Sequence, residues 1–102
     1  MRLTSEQNDY LRILGHKLKP ALDVGAGGLT QSLLKQIDNA LDAHELVKVR
    51  VPYGDRERRQ RLLEELAPRS RAHLVERASH EALLYRPATQ PVIDLPGRQS
   101  NH

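Results

Sequence analysis

The sequence predicts a single α/β (α+β) domain, with elements in the order α-β-α-β-α-β-β and one four-stranded mixed sheet. Apolar stripes with helical spacing alternate along the chain with short runs rich in Val and Leu, which is the first ground for this prediction. The second is length, because 102 residues suffice for one modest core. Only 3% of residues are aromatic, with no Phe or Trp, so that core must consist of Leu, Val, Ile and Ala.

The first helix is predicted over Ser5–Leu14. Thr4 and Gln7 have the spacing of a capping box at its start, and Gly15 stands where the helix should end. Apolar residues recur at helical spacing and include Tyr10, which we therefore expect in the core.

The next segment reads as a short strand, a glycine-rich bend and a second helix over Gln31–Ala43. Three of the four bend residues, 25–28, are glycines, which permit positive φ and the close approach of another backbone. Thr30 is a suitable N-cap, so the helix would direct unpaired N–H groups and its positive dipole end toward the bend. The pattern predicts an anion site there.

The strand Leu46–Val51 shows the clearest alternation in the chain. Its valines are expected on an apolar face, and Lys48 and Arg50 on a positively charged face open to solvent. Asp55 can cap a third helix over Arg56–Ala67, which Pro68 is expected to end.

A hairpin of strands Ala72–Ala78 and Ala82–Arg86 follows, with the turn at residues 79–81. Proline content then rises and periodic apolar residues become few. We therefore divide the chain into a domain over residues 1–87 and an irregular tail over residues 88–102.

Charge and composition narrow the class of protein. Sixteen basic and 13 acidic residues give a net charge of +3, and the sequence pI of about 9.6 is in the range of nucleic-acid-binding domains. The absence of cysteine excludes disulfides and thiolate metal sites. No signal-like or membrane-length apolar run is present. We expect a cytoplasmic monomer without a membrane partner.

The glycine bend does not match the nucleotide-binding motifs. After Gly28 come Leu29 and Thr30 in place of the Walker Lys-Ser/Thr, and Thr30 stands where a dinucleotide fingerprint needs its third glycine. A GxxG loop that clamps a nucleic-acid backbone fits without further residues. We rank backbone clamping above a plain turn, and both above nucleotide hydrolysis.

Basic residues flank the bend in sequence. They can serve to contact nucleic acid, or they can simply form a solvated surface. For the arginine-rich third helix we weigh the solvated surface equally with a binding role, since Glu57 and Arg61 can pair at i,i+4. Because Phe and Trp are absent, we expect recognition of phosphates, sugars and shape more than of stacked bases. The five histidines show no metal-ligand spacing, and no catalytic constellation is visible, so we predict no enzyme activity, metal or cofactor.

Four segments together resemble the CRM domain, and most closely its small stand-alone bacterial YhbY-type members. They are residues 18–30 with the bend, His44–Val49, Leu84–Pro87 and Ile93–Pro96. The resemblance implies a fold similar to the C-terminal domain of bacterial translation initiation factor three. It also implies RNA binding, with 23S ribosomal RNA in precursors of the large (50S) subunit as the partner. Ser79-His80 departs from the Gly-Lys pair common in the family's hairpin turn.

The resulting hypothesis is a non-catalytic RNA-binding domain that acts in large-subunit assembly. Two alternatives stay open: a protein-docking module that uses its basic helix, and a small phosphate- or nucleotide-binding protein. The residues predicted to bind RNA are Lys17, Lys19, Gly25, Ala26, Gly27, Gly28, Thr30, Lys48 and Arg50.

Overall fold

The computed structural model describes residues 2–52 and 54–97, and it contains the predicted elements in the predicted order. The three helices and four strands are α1 Ser5–Gly15, β1 Leu22–Asp23, α2 Gln31–His44, β2 Leu46–Arg50, α3 Arg56–Ser70, β3 His73–Arg77 and β4 Glu81–Tyr85. The α+β class is confirmed. Glu81, predicted in the hairpin turn, is instead the first residue of β4.

The four strands form one mixed sheet in the spatial order β1-β2-β4-β3. β1 pairs with β2 in parallel, and β4 is antiparallel to both β2 and β3. The β3–β4 ladder is irregular between Leu74 and Glu76, which is the only register shift among the described pairings. Because β1 is the edge strand, the bend that follows it lies at a margin of the sheet.

Each face of the sheet is covered by its own apolar cluster. The helices α2 and α3 pack on the face that carries the β2 valines, and their shared core includes Ile37, Leu41, Leu63, Val47 and Val49. The opposite face packs against α1 and the segment after β4, where the buried residues are Leu11, Leu46, Val75, Leu83, Tyr85 and Leu95. The β2 residues that face α2 and α3, Val47 and Val49, are thus both buried. On the opposite face of the strand, Leu46 alone among the β2 residues is buried.

Side-chain caps begin all three helices as the sequence predicts. The Thr4 hydroxyl accepts the Gln7 N–H at 3.0 Å, and Gln7 Oε1 accepts the Thr4 N–H at 3.0 Å, which completes the capping box. Thr30 caps α2, and Asp55 caps α3 by accepting the Arg58 N–H at 2.8 Å. These caps satisfy N–H groups of the first turn and fix the residue at which each helix begins.

The prediction that Pro68 ends the third helix is wrong, because α3 continues to Ser70. A proline near a helix end removes only one hydrogen bond, which is tolerable where the next turn has other anchors. Arg71 ends the helix in the left-handed region, with φ of 54°, and the Ala72 N–H then bonds to the Ala67 carbonyl at 2.9 Å.

The prediction that Tyr10 lies in the core is also wrong, since it is 39% exposed. The buried line of α1 is Gln7, Leu11 and Gly15, spaced four residues apart. A side chain at residue 15 would collide with Leu83, so glycine there lets α1 approach β4 closely.

The segment after β4 has no helix or strand through residue 97, yet it is bound to the domain. The carboxylate of Glu45, 0% exposed, accepts the N–H groups of Ala88, Val92 and Ile93 at 2.6–2.8 Å. Gln7 donates to the Pro96 carbonyl at 3.2 Å. Residues 98–102 of the predicted tail lie outside the described part, and the boundary at residue 87 stays a prediction.

None of the helices in the described ranges is long and apolar enough to cross a membrane.

Candidate functional site

The glycine bend projects from the edge of the sheet as an exposed turn. The Val24 N–H bonds to the Arg50 carbonyl at 2.8 Å, which extends the β1–β2 pairing up to the bend. The Gly28 N–H then returns to the Gly25 carbonyl at 3.0 Å. Residues 25, 26 and 27 are exposed, whereas Gly28 is buried. The bend is therefore a solvent-exposed turn whose exposed residues carry no side chain larger than a methyl group.

The fold requires glycine at only one position of this bend. Gly28 has φ of 75°, where most side chains are strained. Gly25 and Gly27 lack positive φ. A Cβ at Gly25 would meet no atom within 4 Å, and one at Gly27 would meet only the Thr30 methyl at 3.5 Å. The positive φ at residue 28 explains why that residue is a glycine. Neither the sign of φ nor packing against neighbouring atoms explains why residues 25 and 27 are glycines.

The N-terminus of α2 opens directly behind the bend. The Thr30 hydroxyl accepts the Leu33 N–H at 3.1 Å, and the Thr30 carbonyl accepts the Leu34 N–H at 2.9 Å. In the described ranges the Gln31 and Ser32 N–H groups have no acceptor outside the helix, and the first turn has no acidic residue. The helix dipole and these donors favour an anion at this end.

An arginine of α3 holds the bend in place, which the sequence did not reveal. Arg58 Nη2 donates to the Ala26 carbonyl at 3.0 Å. Arg59, beside it, donates to the carbonyls of Ser79 at 2.8 Å and Gly54 at 3.1 Å, joining α3 to the hairpin turn. Both arginines thus contact other parts of the fold. The sequence could not predict the contacts with Ala26 and Ser79, because these partners lie 32 and 20 residues away in the chain.

The other prominent pair on α3 is Arg61 with Glu57, 3.7 Å apart at the predicted i,i+4 spacing. Two arginines of α3 thus have backbone partners within the fold, and a third faces a carboxylate. Because backbone carbonyls are neutral, the first two contacts leave the net charge of the helix unchanged, and the alternative in which the basic helix docks an acidic protein stays open.

The expectation of a positively charged, open β2 face needs correction. Arg50 is exposed, but it makes a two-point ion pair with Asp23, at 3.1 Å and 2.9 Å. The hydrogen bond and charge of Arg50 lower the pKa of Asp23, so the pair stays ionised at neutral pH. Glu81 lies opposite Arg50 in the ladder. Sequence alternation gave the side-chain directions but could not place these carboxylates.

The three predicted lysines differ in exposure and in their contacts. Lys48 is half-buried and its ammonium donates to the Leu18 carbonyl at 3.0 Å, a neutral acceptor. Lys17 and Lys19 are exposed in the segment between α1 and β1. No ion pair between described residues includes any of the three. The approach to β1 therefore carries exposed positive charge that no described carboxylate pairs with.

The described ranges contain no group of three or more His, Cys, Asp or Glu side chains that could hold a metal ion. His16 faces Glu76 at 3.7 Å as an isolated pair. His73 stacks against Tyr85, with ring centroids 6.2 Å apart, and burial lowers its pKa. The described contacts of these two histidines are with residues of the sheet, Glu76 on β3 and Tyr85 on β4, and not with the bend.

Comparison with known proteins gives consistent matches over nearly the whole chain. The family model for the CRS1/YhbY (CRM) domain matches residues 3–86. A probable RNA-binding protein of Pseudomonas aeruginosa is 42% identical over 91 residues, which are 89% of this chain and 88% of that protein. An RNA-binding protein of Haemophilus influenzae is 38% identical over 94 residues, 92% of this chain and 95% of that one.

A solved structure has the same fold. It is the solution structure of a hypothetical Staphylococcus aureus protein described as a candidate RNA-binding protein, with a TM-score of 0.76 and 34% identity. The match covers 93% of this chain and all of the other.

Proposed function

Because this chain belongs to the CRS1/YhbY (CRM) domain family, we propose that it is a non-catalytic protein that binds structured RNA through the bend at residues 25–28. The proposed target is 23S ribosomal RNA in precursors of the large subunit, which corresponds to a cytoplasmic role in ribosome assembly. The observation that carries the proposal is a pair of exposed glycines, Gly25 and Gly27, that the fold itself does not need.

The missing Cβ atoms at these two positions allow a sugar-phosphate backbone to approach the turn. A phosphate there would meet the Gln31 and Ser32 N–H groups and the positive end of the α2 dipole. Such contacts position an RNA without reading its bases. Gly28 and Thr30 support the site indirectly: Gly28 supplies the left-handed turn, and Thr30 orients the helix end.

The flanking charges contribute unequally in this proposal. Lys17 and Lys19 are exposed and have no carboxylate partner in the described ranges, so they are the stronger candidates for phosphate contacts. Arg50 would have to share its guanidinium with Asp23. Its replacement should therefore weaken RNA binding less than replacement of Lys19.

The first test asks whether negative charge at the bend weakens RNA binding without disturbing the fold. The double variant Ala26→Asp/Gly27→Asp should keep the wild-type fold, because both residues are exposed and a side chain at residue 27 has room. Its affinity for ribosomal RNA in a filter assay should fall at least about tenfold, since each lost phosphate contact also removes counterion release. Thr89→Asp/Gln90→Asp is the control.

The control adds the same charge to exposed residues in the segment held by Glu45, just beyond α2. A 14-residue helix is about 21 Å long, so the control lies far from the bend. Equal losses in the two double variants would show only a general charge effect. Unchanged binding by the bend variant would refute the role of residues 25–28.

A second test addresses the target. Crosslinking in cells followed by sequencing of the attached RNA should recover 23S ribosomal RNA, and the protein should sediment with large-subunit precursors. Association that survives nuclease treatment would favour the protein-docking alternative, and heat released on titration with ATP or GTP would favour the nucleotide-binding one.

A further inference from the structure

A mostly apolar groove opens between the C-terminal end of α1 and strand β2, apart from the glycine bend. Its volume is about 540 Å³, within the roughly 300–1,000 Å³ of ligand sites. Leu14, Leu46 and Ile93 contribute apolar surface, and Leu18, 38% exposed, lies in its lining. The groove is large enough for a planar ring with part of its attached chain.

The charged groups that line this groove are all basic. Lys17, Lys19 and Lys48 take part in the lining together with His44, and no acidic side chain does. The hydrogen bond from Lys48 to the neutral Leu18 carbonyl leaves the ammonium two further N–H donors. The groove therefore suits a ligand that has both an apolar face and negative charge.

One wall of the groove is held in place by the buried carboxylate of Glu45. Its Oε1 accepts the N–H groups of Val92 and Ile93 at 2.8 Å and 2.7 Å, which positions Ile93. Because this wall is preformed, a ligand would not have to order it on binding.

The groove continues toward the bend. Lys19 and Ala21 line both this groove and a neighbouring one that reaches Asp23 and Arg50. Lys19 and Gly25 are six positions apart in the chain, a span of at most about 22 Å. A single RNA strand held at the bend could therefore reach the groove.

We propose that this groove takes one unstacked nucleotide of the bound RNA, with the base on the apolar surface and its phosphates beside Lys17 and Lys19. The inference rests on the proposed RNA-binding function and adds a preference for RNA with an unpaired residue. Unpaired nucleotides are the ones whose bases proteins can reach, since stacked pairs in A-form RNA hide theirs. Continuity with the bend favours RNA over an acidic peptide as the occupant.

The test compares two RNA hairpins that differ by one bulged 2-aminopurine, a fluorescent base. Wild-type protein should bind the bulged hairpin about tenfold more tightly, the gain expected from burying roughly 55 Å² of base surface. The fluorescence of the bulged base should also change on binding.

Leu18→Asp places a carboxylate in the groove lining between Lys17 and Lys19, so it should lower affinity for both hairpins. The ratio of the two affinities, which reports on the groove alone, should fall from about tenfold to about one. Ile13→Asp is the matched control, because Ile13 is 57% exposed on α1 and does not line the groove. Circular dichroism checks folding, and Leu18→Asn replaces the Asp variant if that one unfolds.

The outcomes separate this inference from the proposed function. If wild type binds both hairpins equally and the bend variant Ala26→Asp/Gly27→Asp weakens both, RNA binding stands and the groove assignment is overturned. A preference that survives Leu18→Asp, or displacement of the bulged RNA by a Glu- and Leu-rich peptide, also overturns it. If wild type binds neither hairpin, both proposals fail.

Discussion

Replacing Glu45 by alanine should detach the C-terminal segment and destabilise the domain. Three backbone N–H groups, at Ala88, Val92 and Ile93, lose the carboxylate that accepts their hydrogen bonds in this variant. A hydrogen bond to a charged group contributes about 1.5–3 kcal/mol, so three give about 4.5 kcal/mol at the low end. The released amides can reach water, and we therefore expect a loss of about 3–5 kcal/mol.

The backbone at this position makes alanine a clean probe. Glu45 has φ of 65°, and alanine retains a Cβ there, so the strain of this conformation is similar in both proteins. Glu45→Gln is the graded control, because its remaining oxygen can still accept the N–H groups of Val92 and Ile93 while its amide opposes Ala88. It should lose about half as much stability, roughly 2 kcal/mol.

Urea unfolding followed by circular dichroism measures the free energy of unfolding, and amide hydrogen exchange reports on the segment directly. In Glu45→Ala the amides of Ala88, Val92 and Ile93 should exchange faster than those of β4. A loss below about 1 kcal/mol, well short of three bonds to a charged acceptor, would refute the proposed anchoring. So would unchanged exchange at these three amides.

Three further predictions concern α1, the bend and the partly buried ring of His73. Gly15→Ala should lower the free energy of unfolding by about 1–3 kcal/mol because the new methyl collides with Leu83; a urea titration showing no loss would contradict the close α1–β4 contact. Arg58→Ala should cost about 1 kcal/mol and speed amide exchange at Gly28, since the Ala26 carbonyl loses its donor; unaltered exchange would mean that the bend holds itself. His73 has a lowered pKa, so its contribution to stability should be complete above about pH 6.5 and lost as pH falls through that lowered pKa. Thermal unfolding between pH 7.5 and 5 should show this loss and His73→Gln should reduce it; equal slopes for the two proteins would refute it.

Local physics explains why the sequence predicted so much of the fold. Helix starts depend on residues three positions apart, so Thr4 with Gln7, Thr30 and Asp55 marked them correctly. Alternation likewise identified β2, because side-chain direction follows the pleat. Helix ends were less predictable: Pro68 removed only one bond, and a left-handed Arg71 ended α3 beyond it.

Local patterns in the sequence identify a glycine turn between a strand and a capped helix, with lysines ahead of it. Whether a ligand can reach these features depends on contacts between distant elements, which the fold supplies. It placed Asp23 against Arg50, used Arg58 to hold the bend, and buried Glu45 under a segment some 45 residues later in the chain. Such partners are selected by packing between elements distant in sequence, and periodicity and capping patterns carry no information about them.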